Sequence, residues 1–276
     1  MASLVVAGSL MLGAVGCSSD SSSSPADAPP APSTSVASTT TTSIGSTLKP
    51  GDLYVALGSS IASGFGISVQ SATCGRSNRN YPNLIAARFA LKLVDVTCGA
   101  ATIPNVLDTA QGAAPPQINA VTRDTKLVTI SVGGNDITYN GTAVACGDPA
   151  NVCAAPAGLD ANVAATRTAL ETLIDRVKAA APEATIVFVT YPREVPADKN
   201  CPALSYTDEE AALVRSMGEK LEALFVEVVK PRDVVFVDPY VAPGDHTGCA
   251  PRPSDGPQAT FPTTASPTTR PRSGMR

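Results

Sequence analysis

At 276 residues, 43% of them hydrophobic, the chain is long enough to bury one sizeable core. Its net charge of −4, with Lys and Arg scattered along the sequence, excludes the concentrated basic face that grips nucleic acid.

Residues 1–17, MASLVVAGSLMLGAVGC, are apolar, too short to span a bilayer as a mature helix, and close on small residues before a cysteine. They read as an export signal. Ala14-Val15-Gly16-Cys17 has the pattern of a lipobox, in which Cys17 is lipidated and becomes the first mature residue; the plainer alternative is a secretory signal that ends beside a cysteine. Residues 18–48 are Ser, Thr, Pro and Ala with almost no large apolar side chain, so burial cannot offset their ordering entropy. The expectation is a disordered tether between membrane and domain. Seven cysteines fit an oxidising compartment. With Cys17 set aside, the other six can pair in fifteen ways.

From 49 to 261, short β-rich runs alternate with longer helical patterns, the rhythm of a parallel sheet covered on both faces. Strands are predicted at 53–57, 91–96, 127–132, 185–190 and 234–237, nearly continuous in Val, Ile and Leu as doubly buried strands require. Between them, Val163, Leu170, Leu173, Ile174 and Val177 share one helical face, and Leu213, Met217, Leu221, Leu224 and Val228 share another. Thr207 and Glu210 stand at capping-box spacing ahead of the latter. The expected architecture is a three-layer, flavodoxin-like α/β domain with a mainly parallel five-stranded sheet. In such a sheet, ligands bind outside the carboxyl ends of the strands.

Two turns at those ends carry candidate chemistry. After the first strand comes Gly58-Ser59-Ser60-Ile61-Ala62-Ser63-Gly64, small residues that let the backbone turn sharply and present a hydroxyl. After the third comes Gly133-Gly134-Asn135-Asp136, in which an asparagine amide could donate to a developing oxyanion. Taken singly, each is equally an ordinary polar turn. No phosphate-cradling glycine motif follows the first strand at the spacing a flavin or nucleotide needs, and neither a metal nor an organic cofactor is implied.

These residues resemble the SGNH hydrolases, the GDSL-like lipases and esterases, over nearly all of 53–261. Gly58, Ser60 and Gly64 match the family's G-D-S-x-x-x-G block, with Ser59 in place of its Asp; the resemblance implies that Ser60 is the nucleophile. Gly133, Asn135 and Asp136 match its G-x-N-D block, which makes Asn135 an oxyanion donor. Cys98-Gly99-Ala100-Ala101-Thr102 resembles a second block, with Ala100 where the family has an oxyanion glycine; its N–H serves that role if φ stays negative. Segments at 74–82 and 246–251 resemble secreted members, and their pairing implies Cys74–Cys98, Cys146–Cys153 and Cys201–Cys249.

A serine esterase needs a base, usually histidine. The chain has one, His246. It is either the base, oriented by Asp245 or a carbonyl near Pro243, or a loop histidine braced by the Cys201–Cys249 bridge. The family's own histidine block falls later, where 259–264 reads Ala-Thr-Phe-Pro-Thr-Thr, and residues 262–276 are expected to be a disordered tail displaced by a frameshift near Phe261. Two functions follow: a monomeric, lipid-anchored or secreted serine esterase acting through Ser60 on a small-molecule or lipid ester, impaired where the catalytic-histidine block is lost, or a catalytically silent cell-surface binding protein on the same scaffold.

Overall fold

The computed structural model describes residues 48–71, 73–241 and 247–250. Cys17, the segment 18–47, His246 with its neighbours at 242–245, and everything past Ala250 lie outside the described residues.

Five strands form one sheet: β1 (Leu53–Gly58), β2 (Lys92–Asp95), β3 (Thr125–Ser131), β4 (Thr185–Val189) and β5 (Val235–Val237). They lie in the order β2-β1-β3-β4-β5, every neighbouring pair parallel. This is the flavodoxin-like order, and it reverses direction between β1 and β3. Each predicted strand is found, with no end moved by more than two residues. β5, for instance, starts at Val235, where its pairing with Val187 of β4 begins.

Successive side chains of a strand face opposite sides, and the buried residues sort accordingly. Val55, Leu57, Val128, Ile130, Ile186 and Phe188 belong to the larger core. Against them pack α3 (Ile103–Leu107), α5 (Leu159–Ala180) and α6 (Asp208–Val229). Tyr54, Ala56, Leu127 and Val187 point the other way, towards Ala86 of α2 (Tyr81–Phe89). Helices on both faces of the sheet make three layers, as expected.

The helices start where local chemistry dictates. Thr207 Oγ1 accepts from Glu210 N–H at 3.2 Å while Glu210 Oε2 accepts from Thr207 N–H at 2.7 Å, the capping box expected for α6. Asn80 caps α2 by accepting from Asn83 N–H at 3.0 Å. Along α5, Leu170, Leu173, Ile174 and Val177 are fully buried and Val163 is half-buried. On α6 the buried stripe is wider than the five residues expected, taking in Val214 and Phe225, and Leu213 sits at its edge. Among the described residues, two further α-helices are α1 (Ser60–Ser63) and α4 (Tyr139–Cys146).

Disulfides join Cys74 to Cys98, Cys146 to Cys153 and Cys201 to Cys249. The first ties the turn after β2 to the loop between α1 and α2. Among the described residues, no helix is long and apolar enough to cross a membrane.

Candidate active site

The turn after β1 depends on Gly58. Its φ is +143°, and a Cβ there would come within 2.4 Å of Ser131 O, so only glycine lets β1 run this close to β3. The pairing continues one step past the strand, with Ser59 N–H donating to Ser131 O at 2.9 Å. Gln117, in the 3-10 turn at Gln117–Ala120, accepts from Gly58 N–H at 2.7 Å and donates to Gly58 O at 3.0 Å. Cys98 N–H also reaches Gly58 O, at 3.0 Å, which brings the turn after β2 alongside.

The two adjacent serines have different environments. Ser59 is completely buried, its Oγ 2.9 Å from Tyr191 Oη. Ser60 opens α1 half-buried, and its hydroxyl bonds to no described residue. It also stands in the first turn of a helix, where backbone N–H groups lack intrahelical partners.

After β3, Gly133 adopts φ +123°, and a Cβ there would lie 3.0 Å from Phe225 Cε1 of α6. A Cβ on Gly134 would lie 2.9 Å from Tyr191 Cε1. The two glycines let this loop settle onto two aromatic rings. Asn135 Nδ2 donates to Ala101 O at 2.9 Å, and the Asp136 carboxylate accepts from Ile103 N–H at 3.0 Å, so the turns after β2 and β3 are joined twice. Burial pushes Asp136 up to about 6, against the pull of its backbone hydrogen bonds.

One expectation is corrected. Ala100 has φ 62°, in the left-handed region and not at the negative φ expected, which strains an alanine but leaves its N–H in place. A family glycine would sit there without strain, whereas alanine costs on the order of 1–2 kcal/mol. The flanking amides are used, Gly99 N–H by Cys74 O at 2.8 Å and Ala101 N–H by Cys98 O at 3.1 Å. The Ala100 N–H donates to no described group and the residue is exposed. The amide is therefore still available, in a conformation tied down on both sides and by the Cys74–Cys98 bridge.

Ser60, Ala100 and Asn135 thus stand just past β1, β2 and β3, three neighbouring strands, at one edge of the sheet. His246 lies outside the described residues. Tyr191 and Gln117 were not anticipated. Tyr191 sits just beyond β4, where the strand-end rule points, whereas Gln117 has no sequence signal. No cluster of three or more His, Cys, Asp or Glu suited to a metal occurs among the described residues.

The model of the GDSL-like Lipase/Acylhydrolase family matches residues 56–264. The chain belongs to this family. Among curated members, Lipase 2 of Streptomyces coelicolor is 37% identical over 164 residues, a stretch that covers 54% of this chain and 56% of that one. The chain thus spans little more than half the length of that relative. The Lipase of Streptomyces rimosus is 28% identical over 207 residues, covering 72% and 74%. Among solved structures, the extracellular lipase from Streptomyces rimosus superposes with a TM-score of 0.55 at 26% identity, covering 68% of this chain and 80% of that one. Phospholipase A1 from Streptomyces albidoflavus NA297 shares the fold, with a TM-score of 0.53 at 24% identity over 67% and 78%.

Proposed function

We propose that the protein is a carboxylic ester hydrolase that works through an acyl-enzyme on Ser60. The observation that carries this reading is the division of labour between the two serines. Ser59 is buried and held by Tyr191, while Ser60 keeps a half-buried hydroxyl, bonded to no described residue, at the sheet edge where ligands of this fold class bind.

In the proposed mechanism, Ser60 Oγ attacks the ester carbonyl carbon and its proton passes to a base, which returns a proton to the departing alkoxide. Water then cleaves the acyl-enzyme by the same route in reverse. The tetrahedral oxyanion takes hydrogen bonds from Ser60 N–H, Ala100 N–H and Asn135 Nδ2. An amide nitrogen carries two protons. Ala101 O holds one of Asn135's and fixes the side chain, which leaves the other for substrate. We assign the base to His246, the one histidine of the sequence. We also propose export to the extracytoplasmic face, with lipidation at Cys17 as the anchor and action as a monomer. The signal-like 1–17, the three disulfides and the likeness to an extracellular lipase support export.

Hydrolysis of p-nitrophenyl esters by the full chain tests the assignment. Ser60→Ala should lower kcat/KM by a thousandfold or more, and Asn135→Ala by about 100- to 1000-fold. His246→Ala should approach the Ser60→Ala rate; if it leaves the rate untouched, the base is another group. A wild-type chain with no turnover would favour the silent binding scaffold, since loss of a base leaves only the modest acceleration of an oxyanion hole.

A further inference from the structure

We infer that Tyr191 is a positioning residue: its buried hydroxyl clamps the nucleophile turn and the oxyanion loop to each other, and so sets the spacing of Ser60 and Asn135. The inference rests on the hydrolase reading of those two residues. Tyr191 lies just past β4 and is 3% exposed. Its hydroxyl oxygen is 2.9 Å from Ser59 Oγ and accepts from Gly134 N–H at 3.2 Å. Ser59 immediately precedes Ser60, and Gly134 immediately precedes Asn135. One side chain therefore holds the neighbour of each reacting group.

The protons can be placed consistently. Tyr191 accepts from Gly134 and gives its own proton to Ser59 Oγ, which leaves the Ser59 hydroxyl proton to point at Ser131 O, 3.5 Å away. Gly134 and Ser131 both belong to the end of β3 and its turn, so the relay leaves that turn, crosses to the nucleophile side and returns. Position 59 suits the relay because a hydroxyl both accepts and donates, whereas an ionised carboxylate only accepts. The ring is fixed as well. It stacks near-parallel to Phe225, 6.0 Å between centroids and 16° between planes, and these two rings are the ones the glycine pair rests on. A buried polar link of this kind gains strength from its low-dielectric surroundings and loses it wholly when one partner goes.

The test uses the full chain and p-nitrophenyl butyrate. Tyr191→Phe keeps the ring and removes only the oxygen. It should lower kcat about tenfold with KM within twofold of wild type and Tm within a few degrees. Ser59→Ala, which removes the other end of the link, should do the same and carries the test should Tyr191→Phe fail to fold. The double variant should be no slower than either single variant, because both break one link. An active wild type with Tyr191→Phe unchanged in kcat, with its loss confined to KM or Tm, or with single effects that multiply to about a hundredfold, overturns the positioning role alone. A wild type that neither turns over nor reacts with a fluorophosphonate at Ser60 overturns the hydrolase reading, and this role with it.

Discussion

Ser59 and Ser60 are the same residue type one bond apart, and their surroundings give them opposite properties. The first is sealed in and bonded; the second is half-buried and bonded to no described residue. A hydroxyl locked into a buried relay is a poor nucleophile because attack would first break its bonds, while a free one at a helix start can present its oxygen to a carbonyl. Ala100 shows the reverse situation, a residue whose type works against its conformation. At φ 62° it carries strain that glycine would not. Ala100→Gly should therefore leave turnover in place and hold or raise Tm by up to about 3 °C, relief in the folded state outweighing the added freedom of the unfolded chain. The same change at exposed Ala165, inside α5, should lower Tm by about 2–4 °C, the usual cost of glycine in a helix. Equal losses at both positions in a thermal melt would contradict the strain.

Helix α6 does two jobs at the element scale. Its Phe225 supports Gly133, and one turn earlier its Glu222 is buried, 8% exposed, beside Thr190 and Asp238. Burial pushes Glu222 up to about 7, and the charge of Asp238 adds to the effect. The sign follows from proton counting. Between the ordinary glutamate range near pH 4.3 and about pH 7, the unfolded chain gives up a proton that the folded one keeps, so stability falls as pH rises and levels off above 7. Glu222→Gln removes that penalty. In thermal melts it should raise Tm by several degrees at pH 8 and by little at pH 4.5; an equal gain at both would show that charge is not the cause. The five strands and the start of α6 were readable from residues for physical reasons: doubly buried strands must be continuous in Val, Ile and Leu, and the Thr207–Glu210 cap is a local pattern. Val214 and Phe225 were harder to anticipate, because how wide a helical stripe is buried depends on what packs against it.

At the scale of the whole molecule, the sheet order puts the turns after β1, β2 and β3 side by side, and hydrogen bonds stitch them together: Ser59 to Ser131, Cys98 to Gly58, and Asn135 to Ala101. The residues on those turns could be named from the sequence because small residues and a strand end mark them locally. The stitching could not, since Gln117 and Tyr191 act on partners 59 and 132 positions away, and no local pattern encodes such a contact. The left-handed Ala100 was hidden for a related reason: its conformation is imposed by Cys74 O and the Cys74–Cys98 bridge, which are distant in the chain. In the proposed reaction, Ser60 is the reactive group at this edge. Fluorophosphonate treatment of the full chain, followed by fragmentation mass spectrometry of the peptide spanning Ser59 and Ser60, tests this directly. A phosphonyl adduct on Ser60 Oγ, absent in Ser60→Ala, is the predicted result; an adduct on Ser59 or on a serine elsewhere, or no adduct at all, would contradict it.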